Sequence, residues 1–285
     1  MHEPFVVVFL GPLGTYSHQV NLPASNQLLP VADARVSDAV ASRAAHAGVI
    51  PQENSIFGSV AETYDALRKP NVGFVQGEVV LKVQHCLLAP RGVKRDDIRC
   101  IKSHEQALGQ CRGFLAQYFP AASLEKMPST AAAAKAVLGS CDSAAICSSI
   151  CTTVFDGLEI LYEGIQDQDS NYTRFYILSA TRNTTLPPPT YPIPGQTRCL
   201  IRLSSVSNDA SRPPLIMQLL AALALPVSRL DRRPQLESTQ LFQDVYFVEV
   251  AREDTDHSER WILGIERAIE NVRTVGSEAE LLGIW

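Results

Sequence analysis

Phe5-Val6-Val7-Val8-Phe9-Leu10-Gly11-Pro12-Leu13-Gly14-Thr15-Tyr16-Ser17 reads as an apolar strand, a tight turn and the start of a helix. Six apolar residues in a row suit a strand covered on both faces. Two glycines permit a turn that presents backbone N–H groups. The same order recurs downstream. A helix is expected over 36–45, a strand at Gly48-Val49-Ile50, a capped helix from Ser59, and a long apolar run over 79–89. Helices over 103–118, 130–138 and 146–155 follow, and a strand over 174–180 closes the set. Continuous apolar strands alternating with helices predict an α/β unit on a buried, largely parallel sheet.

Pro187, Pro188, Pro189, Pro192 and Pro194 then crowd a segment with neither helical nor strand periodicity. Such a stretch is stiff and extended, so 182–196 reads as a linker between domains at 1–181 and 197–285. The second part reads strand, helix, strand, strand, helix, strand, the order of a split βαβ, ferredoxin-like unit. Pro213 and Pro214 suit the first turn of its first helix, where no amide donor is needed.

The chain has 285 residues, 46% of them apolar, which excludes disorder and coiled coil. No apolar run approaches the roughly 20 residues of a membrane span, and Met1-His2-Glu3-Pro4 lacks the basic start of a signal peptide. The reading is a cytoplasmic protein with no membrane partner. Net charge is -5 and neither part carries a basic stripe, so no nucleic-acid partner is expected. Seven scattered cysteines fit reduced, buried thiols rather than a disulfide framework.

Polar residues gather where strands hand over to helices. Thr15 and Ser17 follow the first strand; Glu53, Asn54 and Ser55 follow the second; Ser103 and Gln106, then Ser129 and Thr130, open later helices. Taken singly, each hydroxyl is a better cap than a catalyst, and Ser59 with Glu62 and Ser103 with Gln106 read as capping boxes. Taken together they mark the carboxyl ends of strands, where α/β sheets bind ligands and helix starts favour anions. Arg174 is either the cation that grips a carboxylate with its fork or a surface arginine at a strand start.

Other chemistries find no support. The six histidines show no H-E-x-x-H, His85-Cys86 reads as core, and Cys147 with Cys151 share a helix face without the second pair that zinc requires. Neither a P-loop nor a nucleophile elbow is present. No metal or cofactor is expected.

Five stretches, taken in order, resemble prephenate dehydratase with a C-terminal ACT domain. They are Gly11 to Ser17 as quoted above, Pro51-Gln52-Glu53-Asn54-Ser55-Ile56-Phe57-Gly58-Ser59-Val60, Ser103-His104-Glu105-Gln106-Ala107-Leu108-Gly109-Gln110-Cys111, Ser129-Thr130-Ala131 and Asn171-Tyr172-Thr173-Arg174-Phe175. The resemblance implies conversion of prephenate to phenylpyruvate with loss of carbon dioxide and water, in phenylalanine biosynthesis. It also implies two lobes like those of type II periplasmic binding proteins, the second over about 77–170, with the site in the cleft between them.

By that resemblance the catalytic roles fall on Thr173, Asn54, Ser103 and Gln110. Substrate binding falls on Thr15, Ser17, Glu53, Ser55, Gln106, Ser129, Thr130, Arg174 and Phe175. A threonine is a poor acid, so Thr173 is assigned a hydrogen bond to the leaving oxygen rather than full proton transfer. Glu105 stands where the family usually has proline, and Phe57 where it often has glutamate. Val227 to Pro234 resembles the effector motif, with Asp231 and Arg232 in place of its Glu-Ser, followed by Arg233 and Pro234; Leu215 and Ile216 lie at a second effector motif. The resemblance thus implies an L-phenylalanine effector and a homodimer or homotetramer, while the altered motif predicts feedback that is weak or uses another contact set. Arogenate dehydratase shares these motifs, although the absence of a transit peptide disfavours the plastid form. A catalytically silent anion sensor is the reading from another class.

Overall fold

The computed structural model describes residues 5–20, 27–31, 35–186, 197–204, 215–236, 242–252 and 259–285. The proline-rich stretch 187–194 and the Pro213-Pro214 pair lie outside them. The chain begins with β1 (Val6–Leu10), α1 (Tyr16–Gln19), β2 (Gln27–Val31), α2 (Arg35–Ala41), β3 (Ala47–Asn54), the two-residue β4 (Gly58–Ser59), α3 (Ala61–Leu67) and β5 (Phe74–Lys82). Gly11 and Gly14, at φ of 96° and 91°, make the turn that aims α1. β1 is buried on both faces: Val8 joins Tyr64 and Tyr176 in one core, Val7 and Phe9 join Phe175 in another.

A second lobe follows, from β6 (Cys86–Pro90), β7 (Cys100–Ser103), α4 (Glu105–Gln110), α5 (Arg112–Tyr118), β8 (Ser123–Lys126), α6 (Thr130–Ala136), β9 (Ser143–Cys147) and α7 (Cys151–Val154) to β10 (Leu158–Tyr162). Its sheet has the order β10-β6-β9-β7-β8. The chain then returns as β11 (Tyr172–Ser179), antiparallel to both β3 and β5. This two-lobed α/β arrangement, crossed twice by the chain, is that of type II periplasmic binding proteins.

The sheets are mixed rather than largely parallel, and the reason is topological. β5 leaves the first lobe and β11 comes back beside it, so the two must run in opposite directions. Their pairing continues past Gly77 to Lys82 opposite Tyr172, and Val83 N still donates to Asn171 O at 2.8 Å. The expected apolar run over 79–89 is therefore two strands broken at the crossing. The helix expected over 146–155 is instead the end of buried β9 followed by short α7, because a brief apolar run fits either form. Cys147 and Cys151 consequently share no helix face.

The last part folds as β12 (Thr197–Ser204), α8 (Ile216–Leu223), β13 (Val227–Pro234), β14 (Asp244–Arg252), α9 (Glu259–Thr274) and β15 (Glu278–Ile284). Its strand order, β13-β14-β12-β15, is ferredoxin-like. It is welded to the first lobe. β15 lies beside β5 in one ten-stranded sheet, with Gly283 opposite Val75. A Cβ on Gly283 would lie 2.5 Å from the Val75 Cβ and 2.6 Å from its carbonyl oxygen, so no larger residue fits this approach. One core crosses the junction, with Tyr64 against Phe247 and Tyr176 against Trp285, ring centroids 5.1 and 5.5 Å apart. Among the described residues no helix is long and apolar enough to cross a membrane.

Candidate active site

A cavity of about 360 Å³ opens between the two lobes. Its walls are the start of α1 (Thr15, Tyr16, Ser17), the turn after β3 (Asn54, Phe57), the crossing (Val83, His85), α4 with its cap (His104, Gln106, Gln110), the start of α6 (Ser129, Thr130), and Asn171, Thr173 and Phe175. None of the described residues lining it is a lysine or an arginine.

Asn54 and Thr173 face each other in the β3–β11 register. Asn54 Oδ1 accepts from the backbone N–H groups of Ile56 (3.0 Å) and Phe57 (3.2 Å). That use of the oxygen orients the amide: Nδ2 must point the other way, where it donates to Asn171 Oδ1 (2.8 Å) and Thr173 Oγ1 (3.0 Å). Thr173 Oγ1 therefore accepts, which leaves its own proton to donate into the cavity. Asn171 is fully buried, and its Nδ2 has no hydrogen-bond partner among the described residues.

The second lobe supplies further polar groups. Ser129 Oγ caps α6 by accepting from Ala132 N at 3.0 Å. His104 caps α4 through Nδ1, which accepts from Gln106 N at 3.3 Å, so its Nε2 bears the proton. Ser103 is no cap: it is fully buried and donates to Ile146 O at 2.6 Å, tying β7 to β9 away from the cavity. Ser59 likewise sits in β4 and donates to Asp231 at 2.5 Å, so neither expected capping box forms. Glu105 turns outward to Lys126, whose ammonium holds the carboxyl below its usual range.

Arg174 and Glu53 do not face the cavity. Side chains alternate along a strand, so Thr173 and Phe175 point one way and Arg174 the other. The Arg174 guanidinium donates to Gln52 Oε1 (2.8 Å), Glu78 Oε2 (3.1 Å) and both oxygens of Glu249 (2.9 Å each), and pairs with Glu53 (2.9 Å). Burial lowers its pKa, but Glu249 and Glu78 outweigh that and raise it, so the charge is permanent. A bulge opposite Phe175 lets Gln52 and Glu53 both reach Arg174. Ser55 also misses the cavity: it donates to Ser170 O (2.8 Å) and accepts from Tyr172 N (2.9 Å), pinning the return crossing.

The effector candidates on β13 are engaged within the chain. Asp231 accepts from Ser59, Tyr64 (2.7 Å) and Arg229 (2.6 Å), and Arg229 reaches on to Glu53. Arg233 grips Asp65 of α3 with two bonds (2.8 and 2.7 Å), and Pro234 O accepts from Arg68 at 2.7 Å. Arg232 pairs with Asp244 on the outside, Leu215 is exposed at the start of α8, and Ile216 is half-buried. The alternation of β13 explains the split: Arg229, Asp231 and Arg233 dock on the first lobe while Arg232 points out.

His85 departs most from its reading as plain core. It is 2% exposed, yet Nδ1 lies 2.7 Å from Tyr16 Oη and Nε2 lies 2.5 Å from Gln110 Oε1, at the cavity wall. Burial outweighs the hydrogen bond to Gln110 and lowers its pKa, which favours the neutral ring. Its signal in the sequence is position, a polar residue where the apolar run breaks to cross between lobes. The signal for Asn171 is phase, two residues before Thr173 on one strand face.

Comparison with known proteins identifies the family of the chain. A family model described as prephenate dehydratase matches residues 7–183. The chain is 35% identical over 192 residues to the bifunctional chorismate mutase/prephenate dehydratase of Pseudomonas aeruginosa, covering 66% of this chain and 51% of that one. It is 37% identical over 190 residues to arogenate dehydratase/prephenate dehydratase 1, chloroplastic, of Arabidopsis thaliana, covering 66% and 45%. Thus it spans about half the length of these curated relatives. Among solved structures, the prephenate dehydratase from Arthrobacter aurescens in complex with L-Phe superposes with a TM-score of 0.80 at 26% identity, over 98% of this chain and 89% of that one. With the matched model covering more than half of its length, the chain belongs to the prephenate dehydratase family.

Proposed function

We propose that the chain converts prephenate to phenylpyruvate. The carbon–carbon bond to the ring carboxylate breaks, its electron pair enters the ring, and the carbon–oxygen bond breaks on the far side. Carbon dioxide leaves, the departing hydroxide takes up a proton to become water, and the ring becomes aromatic. The observation that carries this reading is the Thr173 hydroxyl, whose proton is directed into the cleft because Asn54 occupies its acceptor side. A hydrogen bond from Thr173 to the leaving oxygen stabilises the charge that develops there.

The rest of the cavity suits the same substrate. Phe175, Val60 and Leu10 offer an apolar surface to the ring, and Ser17, Gln106, Ser129 and Thr130 supply polar groups for carboxylates. A ring carboxylate held without a counter-charge gains from leaving as neutral carbon dioxide.

The test is incubation with prephenate and detection of phenylpyruvate by its ultraviolet absorbance in base, with arogenate in parallel. Turnover of prephenate supports the reading. Turnover of arogenate alone replaces it with the dehydration of that amino acid, and binding without turnover makes the protein a sensor. We further infer that the ACT-like unit responds weakly to L-phenylalanine, because Asp231, Arg233 and Pro234 are committed to the first lobe. Calorimetry showing micromolar binding would reject this. Sedimentation velocity tests the expected homo-oligomer.

A further inference from the structure

His85 joins elements that the mechanism above treats separately. Its backbone N–H donates to Gln166 Oε1 at 2.9 Å and its carbonyl accepts from Ile165 N at 3.0 Å, so the main chain at the crossing is held by the far end of the second lobe. The ring then reaches in two directions. Nδ1 meets Tyr16 Oη on α1 in the first lobe, and Nε2 meets Gln110 Oε1 on α4 in the second.

We propose that His85 is a positioning residue for the dehydratase reaction, acting by turning the Gln110 carboxamide so that its N–H groups, and not its oxygen, face the substrate. This rests on the function proposed above. The argument is one of donors and acceptors. Gln110 Oε1 can only accept, so His85 Nε2 must carry the proton; a neutral ring then leaves Nδ1 bare, and Tyr16 O–H donates to it. The chain runs Tyr16 to His85 to Gln110 and ends by consuming the Gln110 oxygen. The two protons of Gln110 Nε2 are left for the cavity.

The opposite arrangement is chemically complete as well. Tyr16 Oη lies 3.2 Å from Gln84 O, and donation there would have Nδ1–H pointing at the phenol and Nε2 accepting from a reversed Gln110. That form would present the amide oxygen to an anionic substrate and repel it. The tautomer of His85 therefore decides whether this wall of the cleft offers donors or an acceptor.

Nitrogen NMR of the full chain carrying ¹⁵N-labelled histidine reads the tautomer directly. The expected result is a neutral ring protonated at Nε2, and a ring protonated at Nδ1 overturns the proposal. This spectrum needs no substrate, so it stands even if prephenate is not turned over, an outcome that would sink the dehydratase reading alone.

Kinetics supply the second arm. His85→Gln keeps an amide donor near the Nε2 position, whereas His85→Asn reaches only as far as Nδ1. His85→Asn is expected to lower kcat by about 10²-fold, the scale of one preorganised donor, with His85→Gln recovering at least about tenfold of that. Adding Gln110→Ala to His85→Asn is expected to cost no more than the larger single change, since both remove one interaction. Equal losses for Gln and Asn at equal unfolding midpoints, or losses that multiply, overturn it.

Discussion

The two faces of the β3–β11 pair use the same pairing for opposite ends. On one face Asn54 and Thr173 form a neutral hydrogen-bonded pair at the cavity. On the other, the adjacent Glu53 and Arg174 join Glu78, Glu249, Arg198 and Arg229 in a cluster of ions that holds the C-terminal unit. Charge stays behind the strand, where each carboxylate has a partner, and the front keeps neutral groups with fixed directions. One residue step separates the two environments.

The comparison is broken most severely by Arg174→Ala. It strands Glu78 and Glu249 with only part of their counter-charge, and loss of one partner from a buried cluster costs about 3–5 kcal/mol. Denaturant unfolding is expected to show this, with KM in the folded enzyme changed by less than about threefold. A KM raised by orders of magnitude at unchanged stability would return Arg174 to the substrate.

Thr173→Ala, on the front face, should do the reverse. We expect kcat to fall about 10²–10³-fold, the cost of one preorganised donor, with an unchanged unfolding midpoint. Near-normal turnover would remove Thr173 from the reaction. Asn54→Asp sharpens the same point by replacing the Nδ2 donor with an acceptor, which recaptures the Thr173 proton. A loss of about 10²-fold is expected, with little more in the double variant. Full additivity would mean the two residues act independently.

Asp231→Asn probes the docking of β13 and should be the mildest, about 1–2 kcal/mol of stability at unchanged kcat. It also carries a pH signature. Burial pushes the Asp231 carboxyl up, but Arg229, Ser59 and Tyr64 together hold it below its ordinary value. A depressed acid stabilises the fold above its unfolded pKa of about 3.9 and loses that contribution as pH falls through its folded value. Acid unfolding curves should therefore be flatter for the variant than for the parent below about pH 4. Parallel curves would show that Asp231 holds no such partners.

Much of this was legible in the residues. The phase of Asn171-Tyr172-Thr173-Arg174-Phe175 already separates Thr173 from Arg174, because a strand cannot aim neighbours at one ligand. The charge of Arg174 suits an anionic substrate, but its phase on the strand turns it to the opposite face. Ser103 shows the converse, a helix-start hydroxyl whose partner, Ile146 O, lies 43 residues away and leaves no local trace.

By itself the sequence determined the alternation of strands and helices, the ferredoxin-like order of the last part and the motifs of the family, since each rests on neighbours within a few residues. Only the tertiary structure decided which strand face is the cleft, that β13 docks on α3, and that His85 bridges Tyr16 and Gln110. Those outcomes depend on partners 25 to 168 residues distant. Periodicity tells a side chain which neighbours it opposes, but the partner that satisfies its charge or hydrogen bond is chosen only when distant strands meet.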